Sequence, residues 1–499
     1  MNFRRSSNNQ ERFSQAWRRF GKSGLIALIL FAGLACATSI EAPTLAPTRT
    51  PLPSQTATSL PPTITPTVKP TQARPNCKEF PGLPGCAQAL PLTRGRLAYR
   101  ASSSQVLVLD LGQGQVWRIP TNSLRLVGWS PSGNWLLIEK SPGDYAVMRV
   151  DGSAVQAYTG LVQPAFWAPV GGIQDPGDWL ALPQSDGSLQ VVDPQGGERR
   201  LVLPAGSLGP NGQAQLVWAP GQPPLVATSA GQLKVNQLIV QRLANGAETL
   251  TLSLNAYQTY FALIDGVPGS PLLLAGMAEN CPACGQDGLP LVSIQIADGT
   301  VKPLGLDMLL KGQAYAWNPV QPGLAAVAAG LGRSINKNKR LALLDIPSAS
   351  FTYLTGSDLA SFEPAWSPDG RWLAYAALAS GEGTMGDVII PELHLAGREI
   401  YRYDSTSGET ELVTFPGPSR VDGWPHWSGG GRQLLYARLA PDEGKTEVRI
   451  ANLELGSDEL LFTIPRLPQG CLLGGCAWDE MLAFYPEKMP PPKDSSSSG

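Results

Sequence analysis

At 499 residues the chain has room for two or three ordinary domains or for one large repeat domain. Charged residues make up 16%, 38 basic against 40 acidic for a net charge of −2, which excludes the basic footprint of a nucleic-acid binder. The 54 glycines and 46 prolines require many turns, and so favour short strands over long helices, while only two histidines, His394 and His426, argue against metal or hydrolytic chemistry.

The chain begins with a polar, basic stretch that includes Arg4, Arg5, Arg12, Arg18, Arg19 and Lys22. It is followed by an uncharged apolar run, Gly24 to Ala37. A membrane span needs about 20 apolar residues, so this run reads as the core of an export signal. Gly33-Leu34-Ala35-Cys36 resembles the lipobox of bacterial lipoproteins, which implies cleavage before Cys36 and lipidation of that cysteine. An uncleaved anchor running through Ile40, or simple secretion, stays open, so residues 1–40 are a signal peptide or a membrane anchor. Residues 41–75 are rich in proline and threonine and carry too little apolar surface to collapse; they predict a disordered, solvated stalk.

Apart from Cys36, six cysteines form three local pairs: Cys77 with Cys86, Cys281 with Cys284, and Cys471 with Cys476. Local disulfides in an oxidising compartment account for all of them, and agree with export. A zinc site built from Cys281, Cys284, Cys471 and Cys476 would draw on pairs far apart in the repeat order, and a redox role for Cys281-Pro-Ala-Cys284 wants a βαβ context that is missing. No metal and no cofactor are expected. Residues 76–94 form a lead-in bounded by the first pair.

From there one pattern recurs: a tryptophan, a turn, and a short apolar strand. Trp129, Trp167, Trp218, Trp317, Trp366, Trp427 and Trp478 each open a copy, spaced by 38, 51, 99, 49, 61 and 51 residues. The interval of 99 holds a degenerate copy starting at Phe261. In Ser367-Pro368-Asp369-Gly370 the proline pre-sets φ, the aspartate suits the next position and the glycine takes the strained exit. The tryptophan is large enough to wedge between neighbouring sheets. A second hairpin follows each copy, its first strand ending at Asp110, Asp151, Asp193, Asn245, Asp298, Asp345, Asp404 or Asn452. These side chains read as turn caps rather than catalytic acids.

Two hairpins per period of about 50 residues predict an all-β fold, a β-propeller of eight four-stranded blades over 95–485, with seven the alternative if 255–310 is an insertion. The ring opens at the second half of a blade, and the C-terminus supplies the missing strand. Leu97-Ala98-Tyr99 and Leu482-Ala483-Phe484 both read as the same closing strand, which leaves open which terminus provides it. Residues 486–499 read as a disordered tail.

The stretch Trp366-Ser-Pro-Asp-Gly-Arg-Trp-Leu-Ala-Tyr375 resembles the repeat of TolB-like, WD-repeat-like propellers, with partial copies at Trp129 and Trp427. That resemblance implies the fold, and a partner that is a macromolecule. TolB itself carries a separate N-terminal α/β domain, where this chain has its Pro/Thr stalk. Peptidase propellers of the prolyl-oligopeptidase group cap a hydrolase domain, for which 486–499 leaves no room, and no nucleophile elbow, phosphate loop or calcium loop is legible. His426 reads as a strand residue satisfied by a backbone carbonyl rather than as a ligand contact, and Arg333 to Arg340 as a solvated hairpin tip. No catalytic residue is expected. The resulting expectation is an exported, tethered, monomeric binding or scaffolding protein that engages a protein, peptide or glycan. The alternative is a propeller enzyme acting on polysaccharide through carboxylates in its channel.

Overall fold

The computed structural model describes residues 71–73, 76–83, 86 and, with short interruptions, 95–487; the interruptions include 169–177, 280–287, 331–337, 380–396 and 469–475. Among the described residues the strands form seven hydrogen-bonded antiparallel sheets, one of them eight-stranded. That sheet consists of two four-stranded meanders joined by a single bridge between Met308 and Ala329. Eight successive four-stranded meanders result, and the chain is an all-β propeller.

The first meander is split between the chain ends. Its first strand is Leu482–Tyr485, followed by Arg96–Ser102, Gln105–Asp110 and Gln115–Pro120. The second to eighth open with the strands Arg125–Trp129, Phe166–Trp167, Gln215–Ala219, Thr259–Gly266, Tyr315–Trp317, Leu359–Trp366 and Val421–Trp427. Among the described residues, first strands pack against one another between the first and second, fourth and fifth, sixth and seventh, and seventh and eighth meanders, which gathers them on the inner side.

Strand side chains alternate between faces, and here both faces are buried. Leu136 and Ile138 pack toward the first meander, while Trp135 and Leu137 pack toward the third. Leu373, Tyr375 and Ala377 likewise meet the sixth meander, and Ala374 the eighth. The core is therefore a series of wedges between sheets. This explains the nearly continuous apolar runs in second strands, which a sheet with one wet face would not need.

The two segments that compete for one strand in the sequence are partners in the structure. Leu97 pairs with Phe484, Ala98 with Ala483 and Tyr99 with Leu482. Leu482–Tyr485 is the inner strand and Arg96–Ser102 the second, so no conflict exists. The ring closes where Tyr99 stacks on Phe462 of the eighth meander, ring centroids 4.6 Å apart.

Two boundaries differ from the sequence reading. Thr71–Ala73, assigned there to the stalk, adds an outer strand against Val116–Arg118. The lead-in also belongs to the folded body. Phe80 and Leu83 are buried, the ring of Phe80 meets Tyr99 and Phe462, and the Gly82 amide donates to the Leu461 carbonyl. A Cβ on Gly82 would come within 2.7 Å of the Leu461 backbone, which explains a glycine there. Cys77 and Cys86 are disulfide-bonded, clasping this segment across the closing seam.

Candidate functional site

The repeat tryptophans are inter-sheet staples. The indole of Trp129 donates to the Ala483 carbonyl at 2.9 Å, Trp167 to Gly128 at 3.1 Å, Trp218 to Trp167 at 3.2 Å and Trp427 to Ala365 at 2.9 Å. Each acceptor sits at, or one residue before, the equivalent position of the preceding meander. Trp317 instead donates to a side chain, the Asp265 carboxylate, at 2.9 Å. Trp366 is buried, yet its indole nitrogen has no partner among the described residues. In the degenerate copy Gly266, paired with Leu273, takes the tryptophan position, and in the closing meander Phe484 takes it. Trp478 is a correction to the repeat assignment. It lies in a short 3-10 turn, Trp478–Glu480, ahead of the closing strand.

The turn chemistry follows the sequence reading. The Ser367 amide donates to the Trp372 carbonyl, its hydroxyl accepts the Trp372 amide at 2.8 Å, and Gly370 takes φ +70°. Asp110 accepts the amides of Gly112 and Gln113, Asp193 those of Gln195 and Gly196, and Asn452 those of Glu454 and Leu455. Asp404 caps its turn too, and Arg371, bonded to both its oxygens, holds its carboxyl well below the usual range. Asn245 lies outside the described residues.

The inner strands of the seventh and eighth meanders carry a buried polar cluster that the sequence reading missed. Each strand has a register shift, at Phe362/Ala365 and at Gly423/His426, with a non-glycine residue at positive φ inside it: Glu363 at +55° and Trp424 at +57°. The bulge turns Glu363 toward the next sheet. One of its oxygens accepts the Trp424 amide at 2.8 Å and faces Arg398 Nη2 at 3.4 Å, and the other accepts the Trp478 indole at 3.0 Å. The side chains of Arg398 and Glu363 are 1% and 2% exposed, so the pair is fully desolvated. Arg398 Nε donates to the Asp422 carbonyl at 2.8 Å. The Asp422 carboxylate takes a two-point grip from Arg438 at 2.7 and 2.9 Å. Burial raises the pKa of Asp422, and Arg438 opposes that rise.

His426 stands beside this cluster. Its Nδ1 is 3.1 Å from the Trp424 carbonyl, and its ring lies 4.3 Å from that of Trp424 and 6.0 Å from Phe484. It is the carbonyl-satisfied strand residue that the sequence suggests. Burial pushes its pKa down to about 4. Asp265, the third inner carboxylate, accepts Tyr315 at 3.1 Å and Trp317 at 2.9 Å, and burial raises its pKa.

The basic segment Arg333 to Arg340 is not a wholly solvated tip. Lys339 is fully buried, and Arg340 lies over the Tyr353 ring at 3.7 Å while donating to the Thr355 carbonyl. Cys476 is disulfide-bonded. Cys36, Cys281, Cys284, Cys471 and His394 lie outside the described residues. No group of three or more metal-ligating side chains occurs among the described residues.

No family profile matches the chain. Among solved structures it is similar to a dihydro-heme d1 dehydrogenase (15% identity over 84% of this chain and 81% of the other, TM-score 0.49). It is also similar to an oligogalacturonate lyase in complex with manganese (12% identity, 74% and 85% covered, TM-score 0.37). A third is a structure described as a TolB from Agrobacterium tumefaciens (15% identity, 60% and 98% covered, TM-score 0.28). At these levels the propeller assignment rests on the chain's own sheet topology and strand pairing.

Proposed function

We propose that the protein is a non-catalytic binding or scaffolding module of the cell envelope, an eight-bladed TolB-like ring held off a membrane by its Pro/Thr stalk. One observation carries the non-catalytic part. The inner carboxylates best placed for channel chemistry are occupied by partners of the fold itself: Glu363 by Arg398, Trp424 and Trp478, Asp422 by Arg438 on the neighbouring strand, and Asp265 by Tyr315 and Trp317. A general acid or nucleophile needs an oxygen that faces substrate, and the two carboxyl groups of a glycosidase must converge at about 5–10 Å across it. Export is supported by the bonded Cys77–Cys86 pair, since disulfides persist in oxidising compartments.

The partner is a protein, peptide or glycan, gripped by loops of unequal length on a rigid ring. The experiment is capture of envelope partners by the propeller lacking residues 1–70, alongside the same protein with Gly381 to Gly386 deleted from the long stretch of sequence between the strands Trp372–Ala379 and Glu399–Asp404, our candidate for the binding surface. Recovery of a reproducible partner that the deletion loses supports both the binding reading and the choice of surface. Turnover of a polysaccharide by the purified propeller, abolished by Glu363→Gln or Asp422→Asn in a folded protein, overturns it. Mass spectrometry tests the tether: an acylated Cys36 at the mature N-terminus is expected, and an intact Met1 refutes lipidation.

A further inference from the structure

Among the described residues, two arginines at the closing seam lack the bonded carboxylate that Arg398 and Arg438 have. Arg100 lies in the second strand of the first meander and is 8% exposed. Its Nη1 donates to the carbonyls of Ser123, at 3.1 Å, and of Leu124, and its backbone amide donates to Met481. Arg466 follows the last strand of the eighth meander, and its Nη2 donates to the Arg100 carbonyl at 2.7 Å. All of these acceptors are neutral. Among the described residues, the Nε atoms of both arginines and the hydroxyl of Ser123 are buried without a partner. Three orphan polar groups thus lie in one neighbourhood, drawn from the first meander, the connection to the second, and the end of the eighth.

Elsewhere the pattern is different. Arg398 has Glu363 and Arg438 has Asp422. Among the described residues neither Arg100 nor Arg466 forms an ion pair. Glu480 favours the charge of both electrostatically without bonding to either. Burial pushes both guanidinium pKa values down, and at Arg466 the neighbouring Arg100 adds to the effect. An uncompensated buried charge is strongly unfavourable, and two side by side more so. A guanidinium edge matches the two oxygens of a carboxylate or phosphate, and its Nε is half of that edge.

We propose that Arg100, Arg466 and Ser123 form a binding site for a small oxyanion, a phosphate or carboxylate group, at the seam where the two chain ends close the ring. Binding there links ring closure to ligand, because the site exists only when the first and eighth meanders are together.

The test uses detergent-solubilised full-length protein at constant ionic strength, exchanging chloride for phosphate or for acetate. A saturable rise in Tm of about 2–4 °C is expected for at least one of the two anions, with one site in isothermal titration calorimetry. The tighter anion identifies the ligand class. Arg466→Met should abolish the rise and weaken binding at least tenfold. If that variant does not fold, Arg466→Lys serves instead: it keeps the charge and lacks the forked edge, and should lose the same tenfold. A rise that is linear in anion concentration and equal in wild type and variants is a general salt effect and overturns the proposal. So does a wild type with no calorimetric binding of either anion.

Discussion

Trp366 and Trp427 occupy the same position in consecutive sheets, each paired with the leucine at the second position of the following strand. They differ in one bond. The Trp427 indole donates to the Ala365 carbonyl, whereas the Trp366 indole donates to nothing among the described residues. Truncation of either to alanine should cost about 3–5 kcal/mol by leaving a cavity. Replacement by phenylalanine should separate them. Trp427→Phe should lose about 1 kcal/mol more than Trp366→Phe, because only the former gives up a hydrogen bond, the one to the half-buried Ala365 carbonyl. Urea unfolding of the two variants checks this, and equal losses would mean the indole bond adds nothing. At His426 the sign is also fixed. Its folded pKa of about 4 lies below the ordinary 6.5, so the unfolded chain takes up a proton that the folded chain refuses. Stability should therefore fall as pH drops from about 6.5 to about 4, by on the order of 1–3 kcal/mol, and be complete above that window. His426→Gln should flatten this part of the pH–stability curve, while His394 remains in both proteins as the control.

At the scale of elements, the bulges in the inner strands of the seventh and eighth meanders decide how those strands meet. Two non-glycine residues at positive φ are strained, each by about 1–3 kcal/mol. Glu363 has a return on that strain, since its carboxylate reaches the adjacent strand, Arg398 and the Trp478 turn at once. Gly423 makes room for the contact: a Cβ there would lie 2.1 Å from Arg398 Nη2 and 2.8 Å from the Glu363 carboxylate. Gly423→Ala should push the pair apart and lower Tm, although its φ is ordinary. Glu363→Gln should leave a buried guanidinium without its counter-charge, at about 3–5 kcal/mol. Adding Arg398→Met to Glu363→Gln should recover part of that loss, because the charge then goes with its partner. If the double variant is no more stable than Glu363→Gln alone, the buried charge is not the cause.

The whole molecule depends on a closure made by residues from opposite ends of the chain. Leu482–Tyr485 covers the edge of Arg96–Ser102, supplies the carbonyl for the Trp129 indole, and places Phe484 near His426. Ending the chain at Met481 should expose that edge, which then pairs with other chains. The expected result is a lower Tm with concentration-dependent association in light scattering; a monomer of unchanged Tm would show the closure to be dispensable. Viewed down its axis by electron microscopy, the ring should show eight blades, and seven would mean that one meander lies outside it.

Local rules account for what was legible in the sequence. Short apolar runs bounded by turn residues fixed the strands, because such runs are too short for a helix and their ends are marked locally. Ser367-Pro368-Asp369-Gly370 and the aspartates after the third strands fixed the turns, because those bonds span only a few residues. The repetition of the tryptophans fixed the architecture, because each wedge needs the same filler. Distance along the chain hid the rest. The pairing of Leu97 with Phe484, the transfer of Trp478 from repeat filler to partner of Glu363, and the meeting of Arg100 with Arg466 each join segments more than a hundred residues apart. Only ring closure brings those segments together, and no local preference encodes it.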